Sequence, residues 1–506
     1  MKNKTIKIVS RSSCLAQIQA RLVANKIKQA YPDISLELNT IKSTGDIDKN
    51  IDISSGETPG LFTNNISNSI KKGENDIAIH SWKDVPLEPT KETEIYGTIE
   101  RGDIRDLLFI KNKSLKNLNK KELSIFTSSP RRKYNSNEVF PKLLPFKNFV
   151  VKAKAIRGNI ETRLRKYNES NIDGIIIAKT AFDRIINSNL KSDKIIADKI
   201  KNYISDSKWM ILPLSIFPTA PGQGAIGIEA NKNNNFIKEI IKTINKKEVF
   251  NAVGKEKNIL FKYGGGCHQK IGVSVWRKND FEFEALRGIT TEGKDLLSFK
   301  IANKLLNNNF VNISKSKAFP SAASKSKVFI REQIDQLSLI KKIRSSVIYL
   351  SRKNVVSNNP KIHRSNIIWT SGIKCWEYAA KKGYWINGSS ESLGENEPMR
   401  IDSFINQNFK YYKLTHDQSK SSNMEIIPVY RLLPKNFKKH IKDKTHFFWM
   451  SSLIFEEAIK SSPEIINAYH SSGLGQTFDF LNKKIKDKNK IQGYLSYDDW
   501  KKNINQ

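Results

Sequence analysis

The sequence predicts an α/β protein that is built from several domains. A chain of 506 residues exceeds what one hydrophobic core usually serves. Up to about residue 230 it repeats one pattern: a short β-branched apolar run, then polar or basic residues, then a stretch with helical spacing. Hydrophobic residues make up 38% of the chain, which is enough to fill several cores.

Four strand-to-helix units can be placed in order along this part of the chain. The predicted strands are residues 5–9, 76–79, 123–126 and 175–178. Charged or hydroxyl-bearing residues follow each strand, and apolar residues with helical spacing come next. Ligands of open parallel sheets bind beyond the carboxyl ends of the strands, so this order predicts a polar cleft.

Breaks in the pattern set the remaining boundaries. Pro221 and Gly222 predict the start of a further unit, and the Ser- and Lys-rich tract at residues 314–327 is typical of a linker. A new α/β pattern begins at residues 347–350. We therefore predict a first domain (1–103 with 200–222), a second (104–199), a third (223–311), a linker (312–345) and a C-terminal α/β domain (346–506).

Composition restricts the class of protein. The N-terminal residues carry charge without an apolar run of signal-peptide length, and no run of about 18 apolar residues occurs, so we expect a cytoplasmic protein without a membrane partner. The three cysteines, Cys14, Cys267 and Cys375, are far apart and form no CxxC pair. This spacing argues against a disulfide framework and against a zinc site, and we expect no metal ion.

The net charge of +36 permits a second class, a protein that binds nucleic acid by neutralising its phosphates. The basic residues are spread along the whole chain, however, and no helix-turn-helix, zinc-finger or aromatic RNA-binding pattern accompanies them. A small polyanionic substrate requires only a local group of arginines, and such a group is present. We expect no nucleic-acid partner.

That group surrounds a predicted helix start. Ser129 stands at the N-cap and Pro130 at the first helical position, so free backbone N–H groups converge with the guanidinium groups of Arg131 and Arg132. The arrangement predicts an anion site, with ordinary surface charges as the alternative. Three further arginines lie at comparable strand-to-helix junctions: Arg11, Arg157 and Arg163.

Two other positions carry side chains that can take part in catalysis or covalent modification. Asp84 directly follows a predicted buried strand, so its carboxylate can act as an acid, a base or a stabiliser of positive charge. A loop aspartate that pairs with Lys83 or caps a turn is the alternative. Cys267 follows three glycines, a setting that favours a reactive or modified thiol, although a plain loop cysteine fits the same pattern.

Taken together, these motifs resemble those of hydroxymethylbilane synthase (porphobilinogen deaminase), in that family's order. The matching stretches are RSSCLAQIQA, STGD, GLF, DIAIHSWKDVP, ERGDIRD, TSSPRR, IRGNIETRL, DGIIIAKTAFDRI, PGQGAIGIEA and GGGCHQKIGV. The resemblance implies two domains like the halves of a periplasmic binding protein, then a small α+β domain that carries the cofactor loop.

The resemblance also implies the chemistry. Cys267 would bear a covalent dipyrromethane cofactor, and Asp84 would be the catalytic carboxylate that assists loss of ammonia from the substrate porphobilinogen. The positions that match cofactor-binding residues are Lys83, Thr127, Ser129, Arg131 and Arg132. Those that match substrate-binding residues are Arg11, Ser13, Arg157 and Arg163. A four-unit product would carry eight carboxylates, which suits an Arg-lined cleft in a monomeric enzyme.

The sequence departs from the family pattern in two places. Where the family has GKGLFxKELE, this chain has PGLFTNNIS at residues 59–67, and so lacks two lysines and two acidic residues of an active-site segment. Pro130 stands where the family usually has Leu. We expect the first change to slow turnover or alter lid closure. A binding-protein-like module without catalysis is the alternative, although it does not account for Cys267 or HSWKDVP.

The C-terminal part resembles uroporphyrinogen III synthase. The matching pieces are IIWTSGIKCWEYAAKKGYWINGSSESLGE, EIIPVYRLLP, HFFWMSS and AYHSSGLGQTFDFLNKK. That family closes the linear product into a ring with one pyrrole inverted, and uses two α/β domains. Because residues 346–506 are few for two domains, we expect the N-terminal portion to be shortened or missing. The matching polar positions are Tyr430, Ser451, Ser452 and Thr477. A purely structural domain is the alternative.

Overall fold

The computed structural model describes most of the chain, in nine stretches: residues 5–42, 63–88, 90–264, 269–303, 308–311, 313–321, 329–405, 408–435 and 438–504. Cys267 and residues 59–62 of the altered segment lie outside the described residues. The chain divides into two compact units. Unit 1 is formed by Met1–Pro141 with Phe146–Phe299, and unit 2 by Lys142–Pro145 with Lys300–Gln506.

Unit 1 contains the following elements. Its strands are β1 Thr5–Arg11, β2 Ser35–Ile41, β3 Ile77–Ser81, β4 Thr93–Gly97, β5 Asp106–Lys111, β6 Glu122–Phe126, β7 Val150–Lys154, β8 Gly174–Ala178, β9 Ser207–Ile211, β10 Ile226–Asn231, β11 Gly272–Lys278, β12 Phe281–Ile289 and β13 Asp295–Ile301. Its helices are α1 Cys14–Ala30, α2 Asn64–Lys71, α3 Asn112–Leu115, α4 Pro130–Leu143, α5 Ile160–Glu169, α6 Lys179–Ile186, α7 Lys191–Tyr203, α8 Asn235–Ile244 and α9 Lys247–Phe261.

The first two sheets of unit 1 have the same plan. Their strand orders are β2-β1-β3-β10-β4 and β7-β6-β8-β5-β9. In each sheet three strands run parallel, and the next strand, β10 or β5, is antiparallel to them. The four predicted strands correspond to β1, β3, β6 and β8, whose carboxyl ends lead into the polar residues expected of a cleft.

The domain boundaries differ from the predicted ones at the place where the chain passes from the second sheet back to the first. Strand β9 pairs with β5, so residues 207–211 belong to the second sheet and not to the first. Strand β10 pairs with β3 and β4, and α8 packs its isoleucines on the same core, so residues 226–244 belong to the first sheet and not to the third domain. Pro221 and Gly222 therefore lie within the connection between the two sheets, between β9 and β10.

The third sheet is small and antiparallel, in the order β11-β12-β13. Helix α9 packs on it through Leu260, which shares a core with Val273 and Leu286. Helix α9 ends at Phe261, three positions before the glycine-rich sequence that starts at Gly264. This helix and sheet lie within residues 223–311, the range predicted for the third domain.

Unit 2 contains two further sheets. Its strands are β14 Ala318–Phe319, β15 Phe329–Gln333, β16 Ser346–Leu350, β17 Ile367–Thr370, β18 Gly388–Ser389, β19 Lys410–His416, β20 Glu425–Pro434, β21 His446–Trp449, β22 Tyr469–Gly473 and β23 Ile491–Tyr494. Its helices are α10 Leu337–Lys342, α11 Ile373–Lys381, α12 Lys438–Ile441, α13 Ser452–Ser461, α14 Gln476–Lys484 and α15 Tyr497–Ile504. The orders are β15-β20-β19-β16-β17-β18 and β14-β21-β22-β23.

Two predictions for this region were wrong. Residues 312–345 are not simply a linker, because β14 joins the four-stranded sheet and β15 joins the six-stranded one. Phe319 is buried in the core of the smaller sheet, so an apolar pair inside the Ser- and Lys-rich tract carries structure. The C-terminal region also has two sheets where one α/β domain was expected. None of the helices within the described stretches is long and apolar enough to cross a membrane.

Candidate active site

The turn that follows β3 holds the predicted carboxylate. Residues Trp82–Asp84 form one 3-10 turn, which closes when the Val85 N–H donates to the Trp82 carbonyl at 3.2 Å. Trp82 is buried, and its ring packs against Phe250 of α9 with centroids 5.1 Å apart. This apolar anchor leaves Lys83 and Asp84 half-buried beside it.

The turn that follows β6 is built as the sequence predicts. Helix α4 begins at Pro130, and the Ser129 hydroxyl accepts a hydrogen bond from the Arg132 N–H at 3.4 Å. The Thr127 hydroxyl accepts one from the Ser129 N–H at 3.2 Å. Both hydroxyls therefore shape the helix start that presents Arg131 and Arg132.

Both arginines bind a carboxylate of the chain itself. Arg131 donates to Asp106 at 2.9 Å and Arg132 donates to the other carboxylate oxygen at 2.7 Å. Gln223 donates to the same residue at 3.0 Å. The remaining Nη atoms donate to the Pro218 and Ile176 carbonyls. The predicted anion site is thus occupied in part by an internal anion, Asp106, which is fully buried.

The ion pairs set the charge states in this network. Burial alone would raise the pKa of Asp106, but Arg131 and Arg132 hold it well below its ordinary value. Burial lowers the pKa of Arg131, against the opposing effect of Asp106. The Nε atoms of Arg131 and Arg132 are buried without a hydrogen-bond partner. Two donors therefore remain for an additional acceptor.

Further cations gather at the same place. Burial lowers the pKa of Lys83, and Arg132 and Arg163 lower it further, while Asp84 and Asp106 oppose the shift. Burial, with the charges of Arg132 and Arg11, lowers the pKa of Arg163 to about 10. The cations repel one another strongly enough to shift these pKa values, so the cluster favours an anionic ligand.

The other predicted residues have local roles in the structure. Arg11 ends β1 and its charge acts on Arg163, so it belongs to the cluster. Ser13 is the N-cap of α1 and accepts a hydrogen bond from the Ala16 N–H at 3.4 Å. Arg157 lies in the connection between β7 and α5, and Arg163 donates from Nε to the Gly158 carbonyl at 2.7 Å. Electrostatic interactions thus connect Arg11, Lys83, Arg132 and Arg163, and none of those described includes Ser13.

Two members of the network were missed by sequence reasoning. Asp106 lies in the stretch ERGDIRD but received no role, although a carboxylate at the start of the apolar run DLLFI is a signal for a buried charge pair. Gln223 lies in PGQGAIGIEA and offers no such signal. Within the described stretches, no group of three or more His, Cys, Asp or Glu residues is placed to hold a metal ion.

The fold and the cluster define a class of protein: an α/β protein with two similar sheets, a cluster of cations and one half-buried carboxylate, Asp84. Comparison with known proteins gives the family. The family model described as porphobilinogen deaminase, dipyromethane cofactor binding domain, matches residues 6–239. The porphobilinogen deaminase of Fusobacterium nucleatum is 34% identical over 274 residues, covering 53% of this chain and 82% of that protein.

A second relative extends the match. The porphobilinogen deaminase of Caldicellulosiruptor saccharolyticus is 36% identical over 314 residues, covering 60% of this chain and 98% of that protein. The chain belongs to the porphobilinogen deaminase family. By this membership it is a transferase of porphyrin biosynthesis with hydroxymethylbilane synthase activity, and it contains the dipyrromethane cofactor binding domain of the family.

Solved structures add a weak likeness. A putative periplasmic sulfonate-binding protein from Methylobacillus flagellatus is 16% identical, with a TM-score of 0.27, over 51% of this chain and 70% of that one. A score this low supports no conclusion.

The described residues fit a dipyrromethane cofactor. Its acetate and propionate groups are carboxylates, and the cluster offers the buried, unpartnered Nε atoms of Arg131 and Arg132 together with Lys83. Five cations (Arg11, Lys83, Arg131, Arg132 and Arg163) face two carboxylates (Asp84 and Asp106). An anionic group bound there would relieve the repulsion that lowers the pKa of Lys83.

Proposed function

We propose that this chain joins four porphobilinogen units with release of ammonia, and that Asp84 is its catalytic carboxylate. One observation carries this proposal. Asp84 borders the cations Lys83 and Arg163, yet among the residues that the structure describes no hydrogen bond or ion pair holds its carboxylate. A charged group in this setting is available to a ligand, whereas Asp106 is saturated by its partners.

Substrate binding follows from charge. Each porphobilinogen carries two carboxylates, and Arg11 and Arg163 would bind them because guanidinium groups match carboxylates in geometry and charge. Arg157 and Ser13 would complete this set on the two sheets. Each bound carboxylate also reduces the repulsion between Arg163 and Arg132, so binding and charge relief act in the same direction.

Asp84 would act on the aminomethyl group of the substrate. The carbon–nitrogen bond breaks with its electron pair leaving on nitrogen, so the amine departs as ammonia and positive charge develops on the pyrrole. An ionised Asp84 beside that carbon would hold the ammonium form before the step and stabilise the pyrrole cation after it.

Dipyrromethane, when bound, supplies the pyrrole carbon to which the first substrate unit is joined. We propose that Cys267 holds it through a thioether and that Lys83, Thr127, Ser129, Arg131 and Arg132 hold its carboxylates. The altered segment at residues 59–67 would slow turnover without removing these groups. We further propose a cytoplasmic monomer without a nucleic-acid partner.

Intact mass spectrometry tests this assignment. The purified protein, measured before and after brief exposure to porphobilinogen, is expected to carry a dipyrromethane-sized adduct that grows in pyrrole-unit steps. C267S should lack the adduct, whereas D84N should keep it and fail to extend it. The matched control is C14S, since the Cys14 thiol contacts Asp193 at 3.5 Å and lies in α1. An adduct that persists in C267S would contradict the assignment.

We propose for unit 2 a second function, closure of the linear product into a ring with one pyrrole inverted. The observation in its favour is that the carboxyl ends of parallel strands in its two sheets meet. Arg352, just after β16, donates to the Met450 carbonyl just after β21 at 3.1 Å. Glu395, beyond β18, accepts a hydrogen bond from Gln476 at the start of α14. Ligands of such sheets bind beyond these ends.

The residues at this junction suit a polycarboxylate. Burial lowers the pKa of Arg352, and the nearby Tyr430 opposes that shift. Tyr430 is one of the positions that match uroporphyrinogen III synthase. Two others, Ser451 and Ser452, start α13, and Thr477 lies in the first turn of α14. A cation and several hydroxyl groups would therefore line the meeting point of the two sheets.

The ring isomer tests this second function. Chromatography of the oxidised product separates rings with one inverted pyrrole from rings without inversion. The wild-type chain is expected to yield the inverted ring, and R352M the uninverted one at an unchanged rate of porphobilinogen consumption. R344M is the control, because the described hydrogen bonds of the Arg344 side chain go to the backbone carbonyls of Lys341 and Ile343. An uninverted ring from the wild-type chain would exclude cyclase activity.

A further inference from the structure

We propose that Lys257 is a positioning residue for Asp84, acting through the backbone that follows the carboxylate. This inference rests on the catalytic role proposed for Asp84. The Lys257 ammonium donates to the Val85 carbonyl at 2.8 Å. Val85 is the residue whose N–H closes the 3-10 turn Trp82–Asp84, so this bond fixes the carboxyl end of the turn. A charged donor makes the bond stronger than a neutral one.

The beginning and the middle of the turn are fixed by a different part of the chain. The Trp82 N–H donates to the Ala225 carbonyl at 3.1 Å. Gly222, with φ of +77°, packs on the turn so closely that a Cβ there would lie 3.1 Å from the Lys83 nitrogen. The connection between the two sheets therefore fixes Trp82 and Lys83. Lys257 fixes the end of the turn through the Val85 carbonyl.

Helix α9 is itself held rigidly, so Lys257 is a firm support. Its neighbour Glu256 is fully buried and accepts hydrogen bonds from the Gly222 and Val275 N–H groups, each at 2.7 Å. Arg101 binds both oxygens of that carboxylate, at 3.0 and 2.8 Å. The face that carries Lys257 also packs Val253 against Trp82.

The same helix leads to the predicted cofactor loop. Lys257 lies one turn before the end of α9 at Phe261, and Gly264 follows shortly after. The support of the Asp84 turn therefore lies ten positions before Cys267 in the sequence. Lys257 would keep the carboxylate in register with the reacting carbon, and a displacement of about 1 Å can lower a rate by about 10²-fold.

Steady-state kinetics of porphobilinogen consumption tests this role with the full-length enzyme. We expect K257M to lower kcat by about tenfold with KM within about twofold of the wild type, because the substrate-binding cations are untouched. K257R should restore most of the activity, since its guanidinium can reach the same carbonyl. Intact mass should show that all variants carry the same cofactor adduct.

Lys238 provides a matched control. Its ammonium also donates to a backbone carbonyl, that of Lys232, at 2.8 Å, but it lies on α8, and no described contact joins it to the Asp84 turn. K238M should keep the wild-type kcat. If K257M does not fold, K257Q is measured instead. The side chain of glutamine is one bond shorter than that of lysine, so its amide does not reach the Val85 carbonyl.

The outcomes separate the two proposals. A K257M enzyme with wild-type kcat, measured beside an inactive D84N, would overturn the positioning role and leave the proposed function intact. An active D84N would overturn the catalytic role proposed for Asp84, on which the positioning role rests, while the consumption of porphobilinogen would still support the deaminase activity. An equal fall in kcat for K257M and K238M would also overturn the positioning role. The loss of activity would then not depend on the contact between Lys257 and Val85.

Discussion

Asp84 and Asp106 lie among the same cations, yet the structure treats them in opposite ways. Both act on the pKa of Lys83, which places them in one electrostatic cluster. Asp106 is fully buried and accepts hydrogen bonds from Arg131, Arg132 and Gln223. Asp84 is half-buried at the end of a turn.

The difference teaches how to distinguish a structural carboxylate from one available for chemistry. A buried carboxylate whose oxygens are saturated by guanidinium groups stabilises the arrangement of those groups, and it has no lone pair directed at a ligand. A carboxylate that shares the same field without such partners keeps its charge and its access to the ligand. Substitutions that remove the charge at each position test this distinction.

The largest effect is expected at Asp84. D84N removes the charge that stabilises the pyrrole cation, and we expect kcat to fall by about 10²–10⁴-fold. The melting temperature should stay within a few degrees of the wild type, because no described partner of the carboxylate is lost. Kinetics and thermal unfolding of the same preparation check both statements. A loss of stability as large as that in D106N would remove the distinction.

D106N is expected to act mainly on stability. It leaves two buried guanidinium groups without their partner, so the free energy of unfolding should fall by about 3–5 kcal/mol. The pKa of Asp106 is lowered on folding, so its contribution is present above the unfolded pKa near about 4 and is lost as the pH falls further. Denaturant unfolding should therefore show a shallower acid dependence in D106N than in the wild type.

Lys83 should weaken anion binding by the cluster at alkaline pH. The folded pKa of this lysine is lowered, so the folded chain binds fewer protons there and the group contributes stability as the pH rises. The same loss of charge weakens anion binding, and KM for porphobilinogen should rise above neutral pH. K83R, which stays charged, should flatten that rise. A KM profile identical in both enzymes would show that the charge of Lys83, placed on the cofactor carboxylates, does not affect substrate binding by the cluster.

The smallest effect is expected at the helix start. S129A removes the hydroxyl that accepts from the Arg132 N–H, and the loss of an N-cap costs about 1 kcal/mol. Arg132 keeps its bond to Asp106, so KM should change by less than about threefold. Thermal unfolding and kinetics of S129A, compared with the wild type, measure the two effects.

Much of unit 1 could be predicted from local sequence. Strands β1, β3, β6 and β8 are apolar runs followed by polar residues, and the Ser129–Pro130 helix start has an unambiguous signature. The placement of β10 could not be predicted, because its pairing with β3 joins residues that are about 150 positions apart and depends on tertiary contacts. Composition also concealed β14, since Phe319 lies among serines and lysines.

The candidate site was predictable in its residues but not in their partners. The sequence places Arg131 and Arg132 at a helix N-terminus, which favours anion binding. It does not indicate that the first anion is Asp106, because that contact requires β5 to lie next to β8 in the sheet. Nor does it indicate that Lys257 reaches Val85 across 172 positions of sequence.

The placement of β10 has a consequence for how the chain is made. The second sheet needs only one continuous stretch of chain and is complete when residue 211 has been synthesised. The first sheet begins at residue 5 but lacks a central strand until residue 231 has left the ribosome. At typical synthesis rates of about 5–20 residues per second, β3 waits about 8–30 seconds for β10, and β1 waits longer. The part of the chain that is made first is thus the later of the two to close.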